Sequence, residues 1–368
     1  MKNIVNLGNV ATYINGYAFK PSDWAEDGTP IIRIQDLTGN SYQMNRFKGI
    51  VDSKYDVNSG DVLISWSASL GVYVWNRGNA VLNQHIFKVV FDKEEVDKDF
   101  FVFQIDNLLK RAANQAHGAT MRHLTKPVFD ALPFYLPDIK TQRLISSKLN
   151  LIVHLIENHH EQLKKLDELI RSRFVELFGN PVINQKRFPV KQVGDVIDFI
   201  GGSQPPKNVF EYTPTEENIR LIQIRDYRTD KYKTYIPRKL AKRFCTADDI
   251  MIGRYGPPIF QILGGIEGSY NVALMKAVPK MGNREFIRWF LKQECLLHYL
   301  EGMSKRTAGQ DGIQMDKLKK YPFPYPPIEL QNQFANFAKQ LDKSKLAVQK
   351  SLDELEILKK SLMQQYFG

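Results

Sequence analysis

Two spacings of hydrophobic residues alternate along this chain of 368 residues, and each spacing occurs twice. Between residues 31 and 91 the apolar positions come in short runs, IIRIQ, DVLIS, VYVW and IFKVVF, broken by Gly, Pro, Asn and Asp. Runs of that length with such breaks predict strands and turns, and a helix is predicted near DFFVFQIDNLLKRAANQ. The spacing then changes. Ile145, Leu149, Ile152, Ile156, Leu163, Leu166, Ile170 and Leu177 follow heptad steps of four and three or whole heptads, with His159 in one of the skipped places. The second half repeats the order: strand-like runs, one helix predicted at REFIRWFLKQECLLHYL, then Phe337, Leu341, Val348, Leu352, Leu355 and Leu362 on a comparable seam. Heptad spacing held over this many turns predicts a coiled coil.

The second half is a copy of the first. Residues 132–179 align with 321–368 at a constant offset of 189, and both segments reach the dipeptide Phe-Gly, at Phe178-Gly179 and Phe367-Gly368. Upstream, IIRIQDL (31–37) answers LIQIRDY (221–227), DVLIS (61–65) answers DIMIG (249–253), and NQHIFKVV (83–90) answers NVALMKAV (271–278). LGNV with Gly16 answers VGDV with Gly202. Repeats on this scale define the architecture.

Between strands and helix each copy has a proline-rich passage, PFYLPDIKTQRL from Pro133 and PFPYPPIELQNQ from Pro322. Proline cannot continue a ladder and is tolerated only in a helix's first turn, so Pro137, Pro326 and Pro327 predict a sharp exit from head to helix. Gln142 and Gln331 hold matching first-turn positions, and Gly179-Asn180-Pro181 is a stop and linker. The boundaries read as a head at 1–136, a helix at 137–179, a second head at 180–325 and a second helix at 326–368. The fold class is α+β. A helix of about 38 residues is about 57 Å long, and its apolar stripe is covered most simply by its own copy. Antiparallel packing as a coiled coil would give pseudo-twofold symmetry and carry two similar heads with different loops.

Composition narrows the function. The net charge of +11 suits a polyanion, most often nucleic acid, because each Lys or Arg near a phosphate releases counterions. Cys245 and Cys295 make neither a disulfide framework nor a zinc site. His154, His159 and His160 lack the i, i+4 spacing of ligands, and the pairs Gly201-Gly202 and Gly264-Gly265 read as turns. The opening MKNIVNLGNV does not read as a signal peptide, and no apolar run reaches the roughly 18 residues of a membrane span. The expected location is the cytoplasm.

The strand-rich head, the PFYLP and PFPYPP passages with their glutamines, and the long helix reaching FG (FGN in the first copy), written twice, resemble the specificity subunit of Type I restriction-modification systems. The resemblance covers essentially the whole chain. It implies two target recognition domains, each reading one half of a bipartite DNA sequence, and helices that space them and dock two methyltransferase subunits. It also implies restriction/translocase subunits in the assembly, and no catalytic site or cofactor in this chain. S-adenosylmethionine would belong to the methyltransferase partners, and ATP and Mg to the restriction subunits. Accordingly, the chain has no NPPY-like tetrapeptide, no FxGxG loop and no GxxxxGK[ST] loop. An adaptor without DNA specificity is the alternative.

Base reading in the major groove wants Arg for guanine and Asn or Gln for adenine. In the first head the candidates are Arg33 with Gln35, the loop Ser65-Trp66-Ser67, and Asn83-Gln84-His85. In the second they are Ser203-Gln204 with Lys207, Arg225, Arg228, and Arg254-Tyr255 in a glycine-flanked turn. GATMRHLTK with Arg122, and MSKRTAGQDG with Lys305 and Arg306, precede the two proline passages and suit phosphate positioning. Arg254 and Arg122 are the leading candidates.

Overall fold

The structure, a computed structural model, describes residues 3–41, 43–115, 125–256, 258–304 and 312–368. Its backbone forms two compact units: residues 1–161 with 349–368, and residues 162–348. In the first, the elements run β1 (Ile4–Asn6), β2 (Thr12–Asn15), β3 (Thr29–Ile32), α1 (Ile34–Leu37), β4 (Arg46–Phe47), β5 (Asp56–Val57), β6 (Val62–Ser65), β7 (Gly71–Val74), β8 (Ala80–Leu82), β9 (Ile86–Val90), α2 (Lys98–Gln115), α3 (Lys126–Asp130), β10 (Pro133–Tyr135) and the start of α4 (Ile139–Phe178). The second continues with β11 (Val190–Gln192), α5 (Val193–Val196), β12 (Ile197–Gly201), β13 (Asn218–Ile222), β14 (Tyr235–Pro237), β15 (Phe244–Cys245), β16 (Ile250–Gly253), β17 (Ile262–Leu263), β18 (Gly268–Tyr270), β19 (Leu274–Pro279), α6 (Arg284–Leu291), α7 (Glu294–Ser304), α8 (Met315–Lys320), β20 (Pro322–Pro324) and α9 (Ile328–Phe367).

The repeat in sequence is a repeat in topology. Each head has a four-stranded sheet ordered β2-β9-β6-β7 or β12-β19-β16-β17, and a second ordered β4-β3-β8-β5 or β14-β13-β18-β15. In the second sheet β3 and β8 run parallel, as do β13 and β18. The runs VLIS and IMIG lie wholly inside, because both faces of the strand are covered. Val62 and Ile64 face one core while Leu63 faces another, and Ile250 and Ile252 likewise oppose Met251.

The proline passages begin as strands. β10 pairs antiparallel with β1, placing Phe134 opposite Val5, and β20 pairs with β11, placing Phe323 opposite Lys191. Proline at the first residue of a short strand removes only a terminal donor. The chain then turns into the long helices, which begin at Ile139 and Ile328, just after Pro137 and Pro327. Gln142 and Gln331, matched in sequence, are both fully buried and make matching bonds. Each side-chain oxygen accepts the N–H of Asp97 or Asn283, at 2.9 and 2.8 Å, and each amide donates to the carbonyl of Pro137 or Pro326 at 2.8 Å.

Within each unit the helices pair, as heptad spacing predicted, and they run antiparallel, as expected for a helix covered by its own copy. In the first, the start of α4 packs Ile145 and Leu149 with Phe367 near the end of α9. His159, in its heptad place, bonds the Leu155 carbonyl at 2.8 Å and the Ser351 hydroxyl at 3.1 Å. In the second, Lys345 donates to Asp167 at 2.6 Å. Its ammonium is held above the ordinary lysine value: burial works against the charge, and Asp167 and Asp342 outweigh it. There Phe174 and Phe178 pack against Phe286 and Phe334. Phe334, wholly buried, was not among the seam residues read from spacing. It belongs to the first turns of α9, where the helix meets the head's core as well as the other helix.

The single helix predicted at residues 284–300 is two. α6 stops at Leu291 and α7 starts at Glu294. Gln293 makes the break: its side chain donates to the Trp289 carbonyl at 3.0 Å, and its own carbonyl accepts from Leu296 and Leu297. One residue thus satisfies groups at both new helix ends. Among the described residues no helix is long and apolar enough to cross a membrane.

Candidate nucleic-acid interface

In both heads the chain makes the same crossing at one end of the first sheet, β2-β9-β6-β7 or β12-β19-β16-β17. Leaving β2, the backbone of Gly16 runs against the Asn83 carbonyl so closely that a Cβ would sit 2.0 Å from that oxygen. Leaving β12, Gly202 meets the Asn271 carbonyl with a corresponding gap of 1.9 Å. No side chain larger than hydrogen fits either place, which accounts for the glycine matched in the two copies. The crossing is tied alike: Gly16 N–H bonds Ile86 O at 3.1 Å and Gly202 N–H bonds Leu274 O at 3.0 Å. Asn83 N–H bonds Ile32 O, as Asn271 N–H bonds Ile222 O.

On this common frame the residue following the third strand differs in chemistry. Trp66 N–H bonds the His85 carbonyl at 3.3 Å, and Arg254 N–H bonds the Ala273 carbonyl at 2.9 Å, so the two residues hold equivalent places. Trp66 stacks on Phe87 at 5.6 Å between ring centroids, lies edge-on to His85, and donates its indole N–H to Asn15 Oδ1 at 3.1 Å. Arg254 instead lies over the ring of Tyr255 at 5.3 Å, with Nη1 donating to the Val272 carbonyl at 3.4 Å. No carboxylate pairs with Arg254 among the described residues, so its charge is available to a ligand. One head presents an apolar plate and the other a guanidinium.

The remaining candidates separate into outward and inward groups. Ser65 and Ser67 are buried, and the Ser65 hydroxyl is used in a 3.2 Å bond to the Ser67 carbonyl, so this pair builds the turn that carries Trp66. Gln84 is half-buried; its N–H holds the Tyr17 carbonyl at 2.8 Å. His85 takes φ 72°, and among the described residues its buried Nδ1 has no hydrogen-bond partner. Ser203 is half-buried, Gln204 is exposed, and the exposed Lys207 opens a 3-10 turn at Lys207–Val209. Arg225 and Arg228 are exposed. Arg225 bonds Thr234 Oγ1 at 3.2 Å, and Arg228 bonds Gln261 Oε1 at 3.4 Å. Arg33 and Gln35 are half-buried, Arg33 lying over Trp24 and bonding Asn45 at 3.4 Å. Arg122, Lys305 and Arg306 lie outside the described residues.

Sequence reading overlooked the aspartate shared by IIRIQDL and LIQIRDY. Asp36 and Asp226 are both buried and accept the backbone N–H of Arg33 and Gln223 at 2.8 Å, closing the turn that carries the candidate Arg and Gln side chains. Burial raises the Asp226 carboxyl above the ordinary aspartate range. Its presence in both copies was the available signal. Also overlooked were Asn15 and Gln261, which hold Trp66 and Arg228 and stand outside any shared string.

Two heads with one frame and different outward side chains define a class of protein, a chain of two tandem recognition domains. The family profile described as "Type I restriction modification DNA specificity domain" matches residues 2–168 and again 185–356, and the chain belongs to that family. The family is one of DNA recognition, and the chain is a specificity subunit, not an enzyme. Among similar proteins is the Type I restriction enzyme EcoBI specificity subunit of Escherichia coli, 22% identical over 92% of this chain and 78% of that one. The MjaVIII specificity subunit of Methanocaldococcus jannaschii is 21% identical over 98% and 90%. Of solved structures, the Type I restriction-modification S subunit from M. genitalium has the same fold, with a TM-score of 0.61 at 15% identity over 100% of this chain and 96% of that one. A chain from a structural study of assembly and conformational transition in a type I system superposes at 0.52, again at 15% identity, over 99% and 97%.

Proposed function

We propose that each head reads one half of a bipartite double-stranded DNA target in the cytoplasm, and that Arg254 reads a guanine in the half-site of the second head. The observation that carries this is the equivalence of Trp66 and Arg254: identical backbone bonds, opposite chemistry. Gln35, Arg33, Trp66, Gln84 and His85 serve the first half-site. Arg225, Arg228, Arg254, Tyr255, Gln204 and Lys207 serve the second. Ser65, Ser67 and Ser203 support the backbone of these loops. The helices set the spacer and dock two methyltransferase subunits, which supply S-adenosylmethionine chemistry, with restriction/translocase subunits joining where they are present. Exposed apolar residues on the helices, such as Leu144 (56% exposed), Leu151 (61%) and Leu346 (73%), favour such docking.

Substituting Arg254→Ala is expected to cost about 1–3 kcal/mol at one base pair of one half-site and leave the other half-site unchanged. Competition binding with single-base target variants checks it, and relaxation of both half-sites together would refute the two-reader assignment. Inserting seven residues into each helix is expected to change the preferred spacer length while both half-sites stay as they were. Methylation mapping of a randomised-spacer library reads this out, and an unchanged spacer would count against the helices as ruler.

A further inference from the structure

Residues 162–348 hold 31 of the 51 Lys and Arg and 20 of the 40 Asp and Glu, so this unit carries the whole net charge of +11. Residues 1–161 with 349–368 hold 20 of each and are neutral. Such a division has no bearing on folding, because the two units share one topology. It bears on what each unit can bind.

Much of the difference lies on one element, the β14-β13-β18-β15 sheet and its loops. Residues 207–243 contain ten cations and five acids, whereas the corresponding residues 19–55 of the first head contain five of each. The correspondence is set by the ladders: Leu221 N–H bonds Thr234 O just as Ile31 N–H bonds Asn45 O. The link from β14 to β15 carries Arg238, Lys239, Lys242 and Arg243 with no acid among them, all exposed. The same stretch of chain also lines a cleft of about 640 Å³, through Tyr212, Arg225, Asp230, Lys231, Tyr232 and Tyr235 among others. Arg225 and Lys231 lie 6.0 and 5.4 Å from the Tyr232 ring, while Tyr212 and Tyr232 are 73% and 54% exposed. Asp230 opposes this charge, but it is occupied by Arg220 at 3.1 Å and Lys233 at 3.3 Å. In the first head the register places Arg46 where Tyr235 stands. Two of the three lysines there are neutralised locally, Lys48 by Asp27 at 3.0 Å and Lys54 by Asp52 at 3.1 Å.

We infer that the two recognition domains engage DNA unequally: the second supplies most of the phosphate neutralisation, through the cationic and aromatic residues of its β14-β13-β18-β15 sheet and loops, and the first binds with little counterion release. This rests on the DNA-reading assignment above and adds which head anchors the duplex. It follows that the salt dependence of binding belongs to one half of the protein. Attraction at long range likewise comes from one head, since the field of a neutral unit falls away quickly in salt.

The test uses the full chain and a duplex carrying its target, with Kd measured by fluorescence anisotropy from 50 to 300 mM salt. Each phosphate contact contributes about 0.9 to the slope of log Kd against log salt, so K231A/K239A/K242A is expected to lower the slope by about 2.7. The matched triple in the first head, K20A/K48A/K54A, is expected to lower it by less than about 1 on the same scale. All six lysines are exposed, and a thermal melt confirms that neither triple is unfolded. Arginine at the same three positions of the second head should restore the slope. Equal losses from the two triples, or a larger loss from the first head, would overturn the inference. A parent chain showing neither salt dependence nor target preference would instead overturn the DNA-reading assignment itself.

Discussion

Replacing Phe367 by alanine is expected to destabilise the first unit by about 3–5 kcal/mol, the cost of emptying a well-packed aromatic site. Phe367 is 7% exposed although it is the penultimate residue of the sequence. Its ring meets Phe100 edge-on at 5.4 Å, and its carbonyl accepts from Asn107 Nδ2 and Arg111 Nη1, both at 3.2 Å. The end of α9 is therefore a plug in the head of the first copy. Phe178 does the same in the second unit, where it packs against Phe286 at 4.7 Å, before Gly179 ends the helix at φ 72°. Urea denaturation with hydrogen exchange on α2 checks the prediction. Loss of protection at Phe100, Phe101 and Ile105 is expected, while Leu346→Ala, at a site 73% exposed, should stay within about 0.5 kcal/mol. Unchanged stability in Phe367→Ala would mean that the helix end is not held by the head.

Gln331→Leu is the second large effect expected. Leucine has nearly the volume of glutamine but leaves the Asn283 N–H and the Pro326 carbonyl buried without partners, at about 1–3 kcal/mol for each orphaned group. The bonds lost measure 2.8 Å each and join head to helix directly, so α9 should loosen at its first turn. Gln142→Leu should act likewise in the first unit, since its bonds to Asp97 and Pro137 are the same pair. Denaturation midpoints and exchange at the first turns of α4 and α9 are the measurements. Variants as stable as the parent would reduce the paired glutamines to coincidence. The destabilisation should also weaken target binding less than Arg254→Ala alters target choice, because the glutamines hold the reader and do not read.

Much of this protein was legible before its structure. The runs DVLIS and DIMIG announced strands, and the structure shows why they are apolar throughout: a strand between two cores has no polar face to show. Heptad steps announced the paired helices, since only packing along a seam makes a 3.5-residue period worth keeping. The repeat itself carried the family's outline, and the glutamines were noticed because they fell at the same offset. Local chemistry of this kind is written in neighbouring residues.

What lay beyond reading from sequence depended on partners far apart in the chain. The break between α6 and α7 hinges on the side chain of Gln293 satisfying Trp289, a competition that apolar periodicity cannot register. Ser65 and Ser67 looked like a polar loop and proved to be buried, since their hydroxyl and carbonyl satisfy one another. Asp36 and Asp226 were overlooked and proved to close the turns that carry candidate Arg and Gln side chains. By itself the sequence determined that one α+β unit is present twice, with strand-rich heads, proline passages and heptad helices, because spacing and composition are local properties. Only the tertiary structure decided that Trp66 and Arg254 occupy one place in two frames, and that Phe178 and Phe367 are plugs. Those are matters of which distant atoms meet, and hydrogen bonds and packing settle them only once the chain has folded.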